Sequence, residues 1–169
     1  MKTSKIIGTI VKAGVAIAAL VGTIGGTVYF AQKSIKKESD LQKRYRAYYE
    51  LTNRWLANKN DDKNIKTFFE TNDIQSIAVY GMGTLGEMFY EDIKKTDVSV
   101  KYFIDKNAEE LYCGMDNLPV VGLTDIKEQE KVDAVIVTPV FDYDSIVEDL
   151  EEADETLNTI SLEDVIYNV

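Results

Sequence analysis

The chain has 169 residues, with 19 Lys and Arg against 29 Asp and Glu, no His, one Cys and two Pro. The lack of histidine removes imidazole bases, Ser-His and Cys-His nucleophile pairs and most zinc sites, and a single cysteine, Cys113, excludes an internal disulfide framework. A net charge of −10 argues against a nucleic-acid partner, which requires a basic face.

That charge is unevenly spread. Residues 1–32 carry three lysines and no acid, 33–46 carry six basic groups against two acids, and 47–169 carry ten against twenty-seven. The first region is read as a transmembrane anchor. Residues 13–32 are uncharged, and extended back to Ile6 the run is long enough, as a helix, for a hydrocarbon core of about 30 Å. The rival reading is a cleaved secretory signal; the length of the run and the lack of a small-x-small cleavage site favour the anchor. Gly14, Ala18, Gly22 and Gly26 form a small-residue stripe suited to homodimer or partner-helix packing. The basic collar that follows places the rest of the chain in the cytoplasm by the positive-inside rule, with the protein as a single-pass component of the cell membrane.

Residues 33–75 read as the collar followed by amphipathic helices. Leu41, Tyr45, Tyr48 and Trp55, broadened by Tyr49, Leu51 and Leu56, make an aromatic stripe expected to pack on a core. A polar break over 58–64 precedes a short helix marked by Ile65, Phe68 and Phe69.

Residues 76–169 read as an α/β domain, a small doubly wound parallel sheet of Rossmann-like type with strand order 3-2-1-4-5. The run 76–80 is a buried parallel strand. It enters Gly81-Met82-Gly83-Thr84-Leu85-Gly86, a complete G-x-G-x-x-G, and a helix follows with Leu85, Met88, Phe89 and Ile93 on one face. A second strand over 98–104 ends at Asp105-Lys106. Short elements are expected at 119–122 (strand) and 124–130 (helix capped by Thr124), then a strand at 134–137 and a helix at 143–153. A last strand at 157–160 leads into a terminal turn capped by Ser161 and Asp164.

The glycine motif between a strand and a helix, with an acid at the end of the next strand, is a dinucleotide-type fingerprint. Gly81 permits the turn, Gly83 lets a phosphate approach, and Gly86 lets the helix pack on the strand. The helix N-terminus favours the anion. Asp105 is placed to accept from a ribose diol. In this strand order the loop after 134–137 meets the glycine loop, which adds Thr138, Pro139 and Val140 as further contacts. The candidate ligand-binding set is therefore residues 81–86, Asp105, Lys106, Thr138, Pro139 and Val140, for a dinucleotide-type ligand and no metal. No catalytic residue is assigned. Tyr90-x-x-x-Lys94 has the spacing of a dehydrogenase Tyr/Lys pair but sits on the wrong helix, and Cys113 is expected to be buried or inert. The acidic run 151–155 reads as a solvated helix end.

The stretches YYELTNRWLANK, IAVYGMGTLGEMFYEDI, VKYFIDKN, DAVIVTPVFDYDSI and ISLEDVIY together resemble the Rossmann-like nucleotide-binding domain of bacterial capsular and surface-polysaccharide biosynthesis proteins. Among those are nucleotide-sugar-epimerase-like proteins and the N-terminal modules of sugar O-acetyltransferases. The resemblance covers roughly residues 45–169 and implies a nucleotide, NAD or nucleotide-sugar ligand on Gly81, Gly83, Gly86 and Asp105. Unlike the larger relatives, the chain carries no attached catalytic domain, which favours an accessory or regulatory binding module over an enzyme. The alternatives are a small NAD-dependent epimerase- or reductase-like enzyme, and a ligand-free membrane scaffold.

Overall fold

Alternation of side chains along five short strands sets the architecture, seen in a computed structural model that describes residues 32–111 and 113–169. The strands are β1 (Ser76–Tyr80), β2 (Ser99–Ile104), β3 (Val120–Val121), β4 (Ala134–Val137) and β5 (Thr159–Ser161). All pair in parallel, in the order β3-β2-β1-β4-β5 expected from the sequence. Both faces of β1 and β4 are covered, so these strands read as unbroken apolar runs rather than alternating ones.

The chain divides into two compact units, Met1–Tyr45 and Arg46–Val169. In the first, residues 32–45 are helical, and Ile35, Leu41 and Tyr45 are exposed. The expected membrane span and its stripe of Gly14, Ala18, Gly22 and Gly26 lie outside the described residues, apart from Gln32. Among the described residues no helix is long and apolar enough to cross a membrane.

The second unit begins with helix α1 (46–60), followed by α2 (Lys66–Thr71), α3 (Thr84–Ile93), α4 (Tyr143–Ala153) and α5 (Leu162–Tyr167). On one face, Ile77 and Val79 of β1 pack with Leu51 and Trp55 of α1, Phe69 of α2, Phe89 and Ile93 of α3, and Val165 and Ile166 of α5. On the other, Ala78 and Tyr80 pack with Ile146 and Leu150 of α4 and with Ile126. A bulge in β2 keeps this alternation in phase. The pairing steps from Ile77–Val100 to Ala78–Tyr102 and skips Lys101, whose ammonium meets Glu130 at 3.1 Å. Val100 and Tyr102, two apart, thereby reach opposite faces.

Several local expectations are corrected. The aromatic stripe does not pack as one surface. Leu51 and Trp55 are buried, but Tyr49 and Leu56 are exposed, as are Leu41 and Tyr45. The arc they span is wider than the sheet-facing side of a helix can cover. Met88 is likewise exposed, and α3 buries Gly86, Phe89, Tyr90 and Ile93. The brief helix expected at 124–130 is a 3₁₀ helix, Leu123–Glu128, with Gly122 at its N-cap. Thr124 does not cap it, its hydroxyl bonding Asp125 Oδ1 instead. Ser161 caps α5 as expected, accepting from Glu163 N at 3.1 Å. Cys113, expected to be buried or inert, is exposed.

Polar contacts tie distant parts of the unit together. Asn58, itself buried, donates from Nδ2 to Ile166 O at 2.6 Å. This satisfies a last-turn carbonyl of α5 that has no partner within its helix. Asp133 Oδ2 accepts from Gln75 N, Ser76 N and Ser76 Oγ at 2.8–2.9 Å. The Gln75 N–H foremost, then the Ser76 groups, hold its carboxyl below the ordinary value.

Asn58→Ala is expected to destabilise the protein by about 1–3 kcal/mol in urea unfolding, because the Ile166 carbonyl is left buried without a donor. The stabilisation from Asp133, whose folded pKa is depressed, is present above the ordinary carboxylate range and lost as pH falls through the folded value. Asp133→Asn is therefore less stable than the parent at neutral pH, and the gap closes as the solution is acidified.

Candidate functional site

Gly81 continues β1 by one residue, donating to Ile104 O at 2.8 Å, and then turns with φ +92°, a conformation that glycine adopts without strain. The chain reverses so closely that a Cβ on Gly86 would lie 2.0 Å from the Gly81 carbonyl oxygen. Helix α3 is thus packed directly on the end of β1. Thr138, 2% exposed, follows β4 and fastens the turn. Its backbone N–H donates to Tyr80 O at 3.1 Å, and its hydroxyl lies 2.9 and 3.2 Å from Tyr80 O and Gly81 O. Gly83 differs from the other two. It is the N-cap of α3, has extended backbone, and would meet nothing within 4 Å if given a Cβ. The space at the helix N-terminus is open.

A cleft of about 410 Å³ lies beside this turn. Tyr80, Gly81 and Gly83 line it from β1 and its loop, and Asp105 and Lys106 from the end of β2. Pro139, Asp142, Ser145 and Ile146 line it from the loop after β4 and the start of α4. Of the expected ligand contacts, the structure gathers Gly81, Gly83, Asp105, Lys106 and Pro139 into the cleft. The others lie outside its walls. Gly86 and Thr138 are buried behind the turn, Met82, Leu85 and Val140 pack against the hydrophobic cluster on the α3 side, and Thr84 is the exposed first residue of α3.

Asp105 is already engaged by backbone donors. Oδ2 accepts from Met82 N at 3.0 Å and Oδ1 from Asn107 N at 2.9 Å. The carboxylate therefore braces the glycine turn while also facing the cleft. Lys106 Nζ contacts Asp149 Oδ2 on α4 at 2.6 Å. The Asp149 carboxylate, and next the Tyr80 phenol, raise the lysine above its ordinary value. Burial raises the Tyr80 phenol, Lys106 opposes this, and Asp149 and Asp105 add to it.

Sequence reasoning missed Tyr80, Asp142, Ser145 and Ile146 of the cleft, and Asp149, which pairs with Lys106. Tyr80 carried a signal, a polar hydroxyl at the last position of an otherwise aliphatic strand. The α4 residues carried none, since only the packing of α4 on β1 brings its first turns to the cleft.

The Tyr90/Lys94 pair sits at the end of α3 remote from Gly83. Tyr90 Oη donates to Asp116 Oδ2 at 3.0 Å, and burial first, then Asp116, raises its phenol. Lys94 contacts Glu91 at 2.6 Å and Asp116 at 3.5 Å. Among the described residues, no group of three or more His, Cys, Asp or Glu is arranged to hold a metal ion.

The family model described as C2185-like, N-terminal matches residues 73–160, which takes in the sheet from β1 into β5 and every residue of the cleft. No curated protein and no solved structure matches the chain.

Gly86→Ala is expected to cost about 2–4 kcal/mol, because the methyl group would collide with backbone that cannot yield. Gly83→Ala should stay within about 1 kcal/mol of the parent. Chemical denaturation of the two variants side by side checks the contrast.

Proposed function

The chain belongs to the C2185-like, N-terminal family, and for this member we propose a binding function. A nucleotide-type ligand, NAD or a nucleotide sugar, occupies the cleft at the end of β1. The module acts as an accessory or regulatory component of surface-polysaccharide biosynthesis, held at a membrane by its N-terminal segment. The observation that carries the binding reading is the open space at Gly83. There the N-terminus of α3, a helix of ten residues, faces a cleft walled by Lys106 and Asp105. The anchor rests on the uncharged run 13–32 and its basic collar, and the pathway rests on the sequence resemblance. The absence of an assembled acid–base or nucleophilic group among the described residues of the cleft favours binding over turnover.

A ligand-free scaffold is favoured by a different observation. Both oxygens of Asp105 are already satisfied by Met82 and Asn107, and Gly81 and Gly86 are accounted for by close packing. Glycines and acid would then serve the fold by itself.

Calorimetric titration of the full-length chain in detergent with NAD, NADP, ADP-ribose and UDP-sugars separates the two. The binding reading expects at least one of these to bind. It also expects Gly83→Asp to weaken that ligand more than about tenfold while leaving thermal stability equal or higher, because Asp is a good N-cap yet repels a phosphate. Folded protein that binds none of them supports the scaffold. Full affinity in Gly83→Asp would remove the ligand from the glycine loop.

A further inference from the structure

Tyr80 is 3% exposed, and its Oη is a buried polar atom with no hydrogen-bond partner among the described residues. Such groups are uncommon in folded proteins and destabilise them. The neighbours of this hydroxyl are not random. Tyr80 is a wall of the cleft, and the charges that act on its phenol are Lys106, Asp149 and Asp105. Lys106 lines the same cleft and is held by Asp149 at 2.6 Å, a pair whose side chains are 58% and 37% exposed. A surface ion pair of this exposure is weak and exchangeable. The Tyr80 hydroxyl on the same cleft is, by contrast, buried.

On the reading that the cleft takes a phosphorylated ligand, we propose that the Lys106–Asp149 pair is a displaceable cover over Tyr80. The ligand's phosphoryl oxygen takes Lys106 away from Asp149, and the uncovered Tyr80 hydroxyl donates a hydrogen bond to the ligand. This adds a second contact pole, from β1, β2 and α4, to the one at the α3 N-terminus. It also accounts for a tyrosine where an aliphatic residue would fill the same strand position at no polar cost. Exchange of partners, rather than creation of a new charge, is what lets the lysine serve both states.

The test compares parent, Tyr80→Phe and Asp149→Asn as full-length proteins, by calorimetric titration with ADP-ribose and with inorganic phosphate and by thermal unfolding without ligand. Tyr80→Phe is expected to weaken ADP-ribose about five- to tenfold, with Tm unchanged or raised by about 2–4 °C. Asp149→Asn, which removes the rival for Lys106, is expected to tighten ADP-ribose about two- to fivefold. Equal weakening of inorganic phosphate in Tyr80→Phe assigns the pole to any phosphoryl group, and weakening of ADP-ribose by itself assigns it to the nucleotide; both support the proposal. Binding by the parent with unchanged affinity in Tyr80→Phe, or with weaker affinity in Asp149→Asn, overturns it and leaves the glycine-loop reading in place. No binding of either probe to the folded parent overturns this proposal, and failure of every nucleotide named above overturns the glycine-loop reading as well.

Discussion

The approach of Gly86 to the Gly81 carbonyl is the constraint on which the site depends. No side chain fits between them, so α3 lies against the end of β1 with its N-terminus at the carboxyl edge of the sheet. Thr138, reaching across from β4 with its hydroxyl and its backbone N–H, holds the same turn from the other side. Two central strands and one helix are thereby locked at a single point. The cleft is the space left beside that point, because β2, β4 and α4 cannot close over a turn that projects past the sheet. Gly83, one residue into the reversal, faces that space and is the member of the motif with room around it.

The charged groups at the cleft are held in two different ways. Asp105 accepts from two backbone N–H groups, which orients the glycine turn. Lys106, next in sequence, projects across to α4 and is balanced by Asp149. The strand end thus presents an acid tied to backbone and a base tied only to an exposed carboxylate. Tied to backbone, the acid is costly to free, whereas the base can exchange partners at little cost.

Much of the sheet was legible in the residues. Ser76–Tyr80 and Ala134–Val137 are buried on both faces, and double burial requires the uninterrupted apolar runs that mark them. The glycine spacing placed the turn and the start of α3 for a steric reason that the close contact makes visible. Legibility failed where burial depends on a neighbour elsewhere in the chain. Leu51 and Trp55 are core while Tyr49 and Leu56, on the same expected stripe, are exposed, because the position of α1 on the sheet selects which arc is covered. The bulge at Lys101 left no sequence mark beyond a charge in an apolar strand, and the phase of β2 was decided by pairing with β1.

By itself the sequence determined the α/β class and the position of the glycine turn from local chemistry, apolar runs and glycines where no side chain fits, and the strand order followed from the usual order of a doubly wound sheet. It also shows that the given chain has no imidazole and no second cysteine for an internal disulfide. Tertiary structure decided which of the motif residues face the cleft and which are buried behind it. It set Tyr80 and Lys106 on one cleft, paired Lys106 with Asp149, and engaged Asp105 with the glycine turn. These are contacts between strand ends and a helix from distant parts of the chain. Their geometry is a property of the packed layers, which no spacing along one segment encodes.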